Sequence, residues 1–142
     1  MTRTVFYLDT CIWRDFYESR FSKGGAPLGG YASSLFMNIM KKKGIVLFSD
    51  ALIRELGIDY DEKEINDMLG VLFANNALVR LNIAKEEHLE AKKLSCERNL
   101  PYIDCLIAVQ ARNNSAVLVT QDSHFFEKLS DITRPVRPQE VI

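Results

Sequence analysis

The sequence predicts an α/β fold with a mainly parallel central sheet, because strand-like and helix-like segments alternate along the chain. Runs of β-branched, aromatic and other apolar residues over 4–9, 45–48 and 116–120 are typical of buried strands. Each run is followed by a segment in which apolar residues recur at helical spacing. This alternation favours parallel strands joined by helices that cover the faces of the sheet.

The first half of the chain predicts two helices separated by a glycine-rich stretch. Apolar residues recur at helical spacing over 11–21 and again over 31–43, and Gly44 ends the second helix. Residues 24–30 read Gly-Gly-Ala-Pro-Leu-Gly-Gly and are predicted to form a mobile loop near the rim of a site. They follow no strand and lack the Gly-Lys-Ser/Thr ending of a phosphate-binding loop.

The second half continues the alternation. The strand over 45–48 is followed by a short helix that either Ser49 or Asp50 caps. The remaining predicted elements are helices over 61–75, 84–98, 102–113 and 123–129, a strand over 78–81, and a short edge strand in the tail near Pro135. Asn99 suits a left-handed helix cap, and Pro101 suits the start of the next helix.

Length and composition fit one globular domain over residues 1–142. Hydrophobic residues make up 47% of the chain, and no apolar run approaches the roughly 20 residues that span a bilayer. The N-terminus lacks the long apolar segment of a signal peptide, so a cytoplasmic location without membrane attachment is expected. Cys11, Cys96 and Cys105 have no C-x-x-C spacing and are expected to act as small apolar residues.

Four acidic residues lie at strand ends or on helices expected to pack beside them. They are Asp9 at the end of the first strand, Glu55 in the helix after 45–48, Asp104 at the start of an apolar helix, and Asp122 after the last core strand. Taken singly, each has a simpler role: Asp9 as a turn residue, Glu55 as a solvent-facing side chain, Asp104 as a first-turn acid favoured by the helix dipole, and Asp122 as a helix cap. Because ligands bind at the carboxyl ends of parallel strands, their joint placement favours a shared site.

Converging carboxylates need a compensating charge, since two of them ~4 Å apart repel by about 4 kcal/mol at an effective dielectric near 20. A hard divalent cation such as Mg²⁺ or Mn²⁺ supplies it and can activate water, which indicates hydrolysis. The net charge of −1 argues weakly against a nucleic-acid partner. However, 19 acidic and 18 basic residues become 15 and 18 when the four acids are set aside. Lys41-Lys42-Lys43 is either a solvated helix end or a phosphate contact.

Four short motifs carry a family resemblance. In order, they are Tyr7-Leu8-Asp9-Thr10, Ser49-Asp50-Ala51-Leu52-Ile53-Arg54-Glu55-Leu56, Asp104-Cys105-Leu106-Ile107-Ala108-Val109-Gln110-Ala111 and Thr120-Gln121-Asp122-Ser123-His124-Phe125. With this ordered set the chain resembles PIN-domain ribonucleases over essentially its whole length, and most closely VapC-type toxins of toxin–antitoxin modules. Cys11 departs from the pattern, because Asn often follows Asp-Thr in the family.

The resemblance implies a three-layer α/β/α sandwich and a metal-dependent endoribonuclease that hydrolyses RNA. It implies that Mg²⁺ or Mn²⁺ is held by Asp9, Glu55, Asp104 and Asp122. Thr10 and Thr120 would position ligands or metal-bound waters through their hydroxyl groups. A homodimer and an inhibitory antitoxin protein are further expectations. His124 either lies at the rim of the site or is structural.

Two other functions are weighed against this one. A PIN-like module could bind RNA or protein without cleaving it, although such a module would be expected to have lost at least one acid. A phospho-acceptor receiver domain also has clustered acids, but it pairs them directly after the first strand and carries a lysine after the last core strand. Here Asp9 is single and Gln121 follows Thr120, so the receiver hypothesis fits poorly.

Overall fold

The computed structural model describes residues 3–142 and contains a five-stranded sheet between layers of helices. The strands are β1 (Val5–Leu8), β2 (Ile45–Ser49), β3 (Leu78–Leu81), β4 (Val117–Val119) and β5 (Pro135–Val136). The helices are α1 (Thr10–Glu18), α2 (Leu28–Lys41), α3 (Asp50–Leu56), α4 (Glu62–Ala74), α5 (Lys85–Arg98), α6 (Tyr102–Asn113) and α7 (Ser123–Lys128), with a 3₁₀ turn at Pro138–Glu140. Residues 1 and 2 of the predicted domain lie outside the described residues.

Every strand pairing in the sheet is parallel, and the strand order is β3-β2-β1-β4-β5. This confirms the predicted α/β/α sandwich with its parallel sheet. The central strand β1 is flanked by β2 on one side and β4 on the other, with Tyr7 paired to both Leu47 and Leu118. The chain adds β2 and β3 on one side of β1, and then β4 and β5 on the other side. The boundary between β1 and β4 is therefore the point where the strand order reverses, and α/β folds form a ligand crevice at such a point.

The core fills the space between the sheet and its helices. Its largest fully buried side chains include Tyr7, Trp13, Phe36 and Phe125. Trp13 meets Phe36 edge to face with ring centroids 5.4 Å apart, so α1 and α2 are locked together by aromatic packing. No helix within residues 3–142 combines the length and apolarity needed to cross a bilayer.

The glycine-rich stretch differs from its prediction. Leu28, Gly29 and Gly30 form the first turn of α2, so a mobile loop is the wrong description of this part of 24–30. A Cβ on Gly29 would lie 2.4 Å from the Cα of Ser19, which shows how closely α2 crosses the end of α1. Glycine is required here because only its bare backbone allows that approach.

Other boundaries move by a few residues. Helix α1 ends at Glu18 instead of 21, because Ser19 adopts a left-handed conformation with φ of 53°. Strand β2 extends through Ser49, which occupies the cap position of α3, although its hydroxyl makes no capping hydrogen bond. Asn99 forms the predicted left-handed cap of α5, with φ of 54°. The closing 3₁₀ turn was not predicted.

Candidate active site

A cleft of about 260 Å³ opens at the carboxyl ends of β1 and β4, at the crevice position of the fold. Its lining consists of Asp9, Thr10, Cys11, Arg14, Arg20, Glu55, Pro101, Asp104 and Asp122. All four acids singled out from the sequence therefore face one space, although they come from four separate segments of the chain. The four acids thus line one cleft, but of these only Asp104 and Asp122 belong to a group of three or more potential ligands, with His124, whose ligand atoms all lie within 4.8 Å of one another in residues 3–142.

Asp9 is the most firmly held of the four acids. It caps α1, is 2% exposed and accepts hydrogen bonds from the Thr10 amide at 2.7 Å and the Thr120 hydroxyl at 2.8 Å. Burial is the main cause of the raised pKa of Asp9, and the charge of Asp122 adds a smaller contribution in the same direction. The hydrogen bonds that Asp9 accepts lower this pKa. The turn role considered for Asp9 and a role in a site thus coexist, because the cap fixes where its carboxylate points.

Thr120 joins the two strands across the crevice. Its hydroxyl donates to Asp9 Oδ2 and accepts from the backbone amide of Asp122 at 2.9 Å. The Thr10 hydroxyl also lies 3.2 Å from Asp9 Oδ1 and donates to it. Both threonines are therefore near the carboxylates, and in this structure their contacts position Asp9.

Cys11 is a residue whose role the sequence reasoning missed. Its Sγ lies 3.3 Å from Asp9 Oδ2 and accepts from the Gln121 amide at 3.4 Å, so the expectation of a purely apolar role is wrong at this position. Burial and then the nearby Asp9 raise the pKa of this thiol well above its usual range. The neutral S–H can donate to Asp9 while the sulfur accepts from the end of β4. The sequence signals were its position two residues after Asp9 and its place where Asn often follows Asp-Thr in the family.

Asp104 has the least compensated charge in the cleft. It lies in the first turn of α6 and is 7% exposed, and no side chain or backbone amide in residues 3–142 donates a hydrogen bond to its carboxylate. Burial is the largest influence on its pKa, followed by repulsion from Asp9, Asp122 and Glu55, and together they raise it to about 8. Because only solvent in the cleft can hydrate this carboxylate and three other acids lie nearby, its ionised form is costly, and a cation at this position would offset the cost.

Asp122 and His124 complete the group around Asp104. One carboxylate oxygen of Asp122 accepts from the His124 amide at 2.9 Å, so the helix-cap role considered for Asp122 is real. Ligand atoms of Asp104, Asp122 and His124 nevertheless all lie within 4.8 Å of one another. His124, whose place the sequence left open, is thus beside the acids, at the exposed edge of the group.

Arg14 and Arg20 also line the cleft and were not predicted. Arg14 lies four residues after Thr10, which places the two on the same face of α1, so a helical projection of the sequence could have found it. Arg20 carried no such signal, because its place depends on the early end of α1 at Ser19. The acidic cleft therefore has a cationic wall.

The donor set suits a hard divalent cation. Carboxylate oxygens are the ligands that Mg²⁺ and Mn²⁺ prefer, and the imidazole of His124 lies only at the exposed edge of the group. The Asp104 carboxylate, which has no donor among the described residues, is the observation that tests this fit, because a bound cation would offset the burial and the repulsion that together raise its pKa. Asp104 and Asp122, with Asp9, Glu55 and His124 around them, are the residues that could hold such an ion.

Comparison with known proteins identifies the fold. The PIN domain family model matches residues 6–131. A chain of a toxin–antitoxin complex from Klebsiella pneumoniae is 17% identical with a TM-score of 0.60, and the match covers 94% of this chain and 97% of that one. A chain of VapBC2 from Rickettsia felis, bound to a DNA fragment from their promoter, is 16% identical with a TM-score of 0.59 and the same coverage. Curated protein sequences give no match.

Proposed function

This chain belongs to the PIN domain family, and from that premise we propose that it is a metal-dependent endoribonuclease and the toxin of a toxin–antitoxin module. The observation that carries the proposal is the convergence of four carboxylates in one cleft, with Asp104 buried and without a hydrogen-bond donor among the described residues. Carboxylates with strongly raised pKa values that gather in a cleft are typical of functional sites. Four intact acids also argue against the alternative of a PIN-like module that binds RNA or protein without cleaving it.

The roles of the residues follow from their contacts. Asp9, Glu55, Asp104 and Asp122 would hold Mg²⁺ or Mn²⁺. Such an ion would activate a water molecule and stabilise the leaving oxygen of a phosphodiester. Thr120 and Cys11 hold the Asp9 carboxylate in one orientation, and Thr10 supports it from the start of α1. Because these contacts fix the orientation of the Asp9 carboxylate in advance, it needs no rearrangement when substrate binds.

We propose an antitoxin protein as the regulatory partner. The two similar structures are a toxin–antitoxin complex and a VapBC2 complex, which supports the assignment by analogy of fold. A second observation that supports a protein partner is an apolar groove of about 650 Å³ between α3 and α4, which is lined in part by Phe48, Ile53 and Leu69. The proposal also includes a homodimer and a single domain over residues 1–142. It places the activity in the cytoplasm, where cellular RNA is accessible.

The choice of RNA is tested by supplying the purified protein and Mn²⁺ with two single-stranded pools of the same random sequence, one of RNA and one of DNA. We expect cleavage products from the RNA pool, and none from either pool when EDTA is present. Cleavage of the DNA pool at an equal rate would contradict the RNA assignment. Cleavage that persists in EDTA would contradict the metal assignment.

A further inference from the structure

The cationic wall of the cleft is formed by two arginines that leave part of their guanidinium groups without acceptors. Arg14 Nη1 lies 2.9 Å from Asp59 Oδ2, and Arg20 Nη2 donates to Glu18 Oε2 at 2.8 Å. Within residues 3–142 the structure shows no acceptor for the other nitrogens of either group. Arg14 Nε is moreover buried, and buried N–H groups without an acceptor are rare in folded proteins.

Three arginines away from the cleft have their forks filled. Arg98 donates two hydrogen bonds to Asp131 at 2.7 and 2.9 Å, and Arg112 donates two to Glu90, both at 2.6 Å. Arg80 likewise uses two nitrogens for Asp50. In these three pairs a carboxylate fills the planar fork of the guanidinium. Within residues 3–142, Arg54, Arg134 and Arg137 also lack a carboxylate in their forks, so what sets Arg14 and Arg20 apart is that their open forks line the acidic cleft.

The open forks are held in place by a connected network. The ring of Tyr60 lies under the guanidinium of Arg14, with 5.9 Å from the Arg14 Cζ to the ring centroid. The Tyr60 hydroxyl donates to Glu18 Oε2, the same oxygen that accepts from Arg20. The network thus links both arginines, which restricts their motion and leaves their remaining donors in the cleft lining.

We propose that Arg14 and Arg20 together bind a phosphate group of the RNA strand next to the phosphodiester that is cut. The proposal rests on the proposed ribonuclease function. A polyanion that approaches four carboxylates needs positive charge from the protein as well as from the metal, and the guanidinium fork matches two phosphate oxygens. Both arginines act as positioning residues, since they fix where the strand lies relative to the acids.

Steady-state kinetics on a fluorogenic single-stranded RNA with Mn²⁺ test the proposal, using Arg14→Ala, Arg20→Ala and Arg112→Ala. Arg112 is the matched control, because it also pairs with a carboxylate but lies at the far end of α6 from Asp104. We expect KM to rise about tenfold in each cleft variant, as for the loss of one charge-assisted contact, with kcat within about twofold. The salt dependence of kcat/KM should become shallower by about 0.7 in log–log slope.

Arg20→Lys is a further test, because lysine keeps the charge but not the planar fork. The KM of Arg20→Lys should fall between those of the wild type and Arg20→Ala. If Arg14→Ala does not fold, Arg20→Ala decides alone, since the Arg20 side chain is 40% exposed, against 21% for Arg14. Cleft variants that match Arg112→Ala in KM and salt slope would overturn the proposal. The free donors of Arg14 and Arg20 would then be assigned to an acidic protein partner. A wild-type protein that cuts no RNA would overturn both the proposal and the ribonuclease function.

Discussion

At the scale of single residues, Asp104 makes the site testable without any substrate. Its pKa is raised to about 8, mainly by burial and then by the neighbouring acids, whereas an unfolded aspartate titrates near 3.8. The folded protein therefore holds a proton on Asp104 that the unfolded chain has released between these two pH values. Stability of the metal-free protein is then lost as the pH rises through this window.

We predict that Asp104→Asn stabilises the protein in EDTA increasingly as the pH rises from about 4 to about 8, because asparagine carries no charge to bury. Thermal melting of both proteins across this range measures the difference. Asp131→Asn is the control, since its partner Arg98 lowers the pKa of Asp131 and the sign of its effect is opposite. A melting difference for Asp104→Asn that is independent of pH would contradict the assignment of its raised pKa.

Cys11 yields a second prediction at this scale. Its sulfur links Asp9 to the backbone amide of Gln121, so removal of the thiol loosens the Asp9 carboxylate. Cys11→Ala should lower Mn²⁺-dependent cleavage by about 10–100-fold, as for other residues that orient metal ligands. Cys11→Ser keeps a donor and an acceptor and should restore most of the rate. Equal rates for alanine and serine variants would show that the hydrogen bonds of Cys11 do not matter.

At the scale of elements, the crossing of α1 and α2 depends on one glycine. We predict that Gly29→Ala destabilises the fold by about 1–3 kcal/mol, because its Cβ would lie 2.4 Å from the Ser19 backbone. Gly30→Ala is the matched control one residue along the same helix, where the Cβ meets Pro27 Cβ at an ordinary 3.5 Å. It should be neutral or stabilising, since alanine favours helix. Urea unfolding of both variants measures the effects, and equal stability of the two would refute the close crossing.

The elements also show how far the sequence could predict the structure. Apolar runs and helical spacing located the strands and α1–α7 to within a few residues, because each pattern follows from which side chains face the core. The first turn of α2 was missed, since Gly29 and Gly30 signal flexibility in local propensity, and only the tertiary crossing with α1 gives them a helical role. Arg20 was missed for a related reason, as its place follows from where α1 ends.

At the scale of the whole molecule, the fold explains why four weak signals predicted one site. The change of direction between β1 and β4 places Asp9 beside Thr120 and Asp122, and the helices that carry Glu55 and Asp104 cover the same end of the sheet. The sequence predicted this convergence because Asp9 and Asp122 follow strands, while Glu55 and Asp104 lie on helices expected to pack beside those strand ends. Contacts that depend on side-chain packing, such as those of Cys11 with Gln121, carried no sequence pattern.

The central claim is that the four carboxylates hold a divalent metal ion that the protein needs in order to cleave RNA. It is tested most directly by the rate of RNA cleavage as a function of Mn²⁺ concentration for the wild type, Asp104→Asn and the distant control Arg112→Ala. We predict saturable activation by Mn²⁺ for the wild type and the control. In Asp104→Asn we predict a rate at least about 100-fold lower, above the usual loss for residues that only orient ligands. Equal, Mn²⁺-dependent cleavage by wild type and Asp104→Asn would contradict the account.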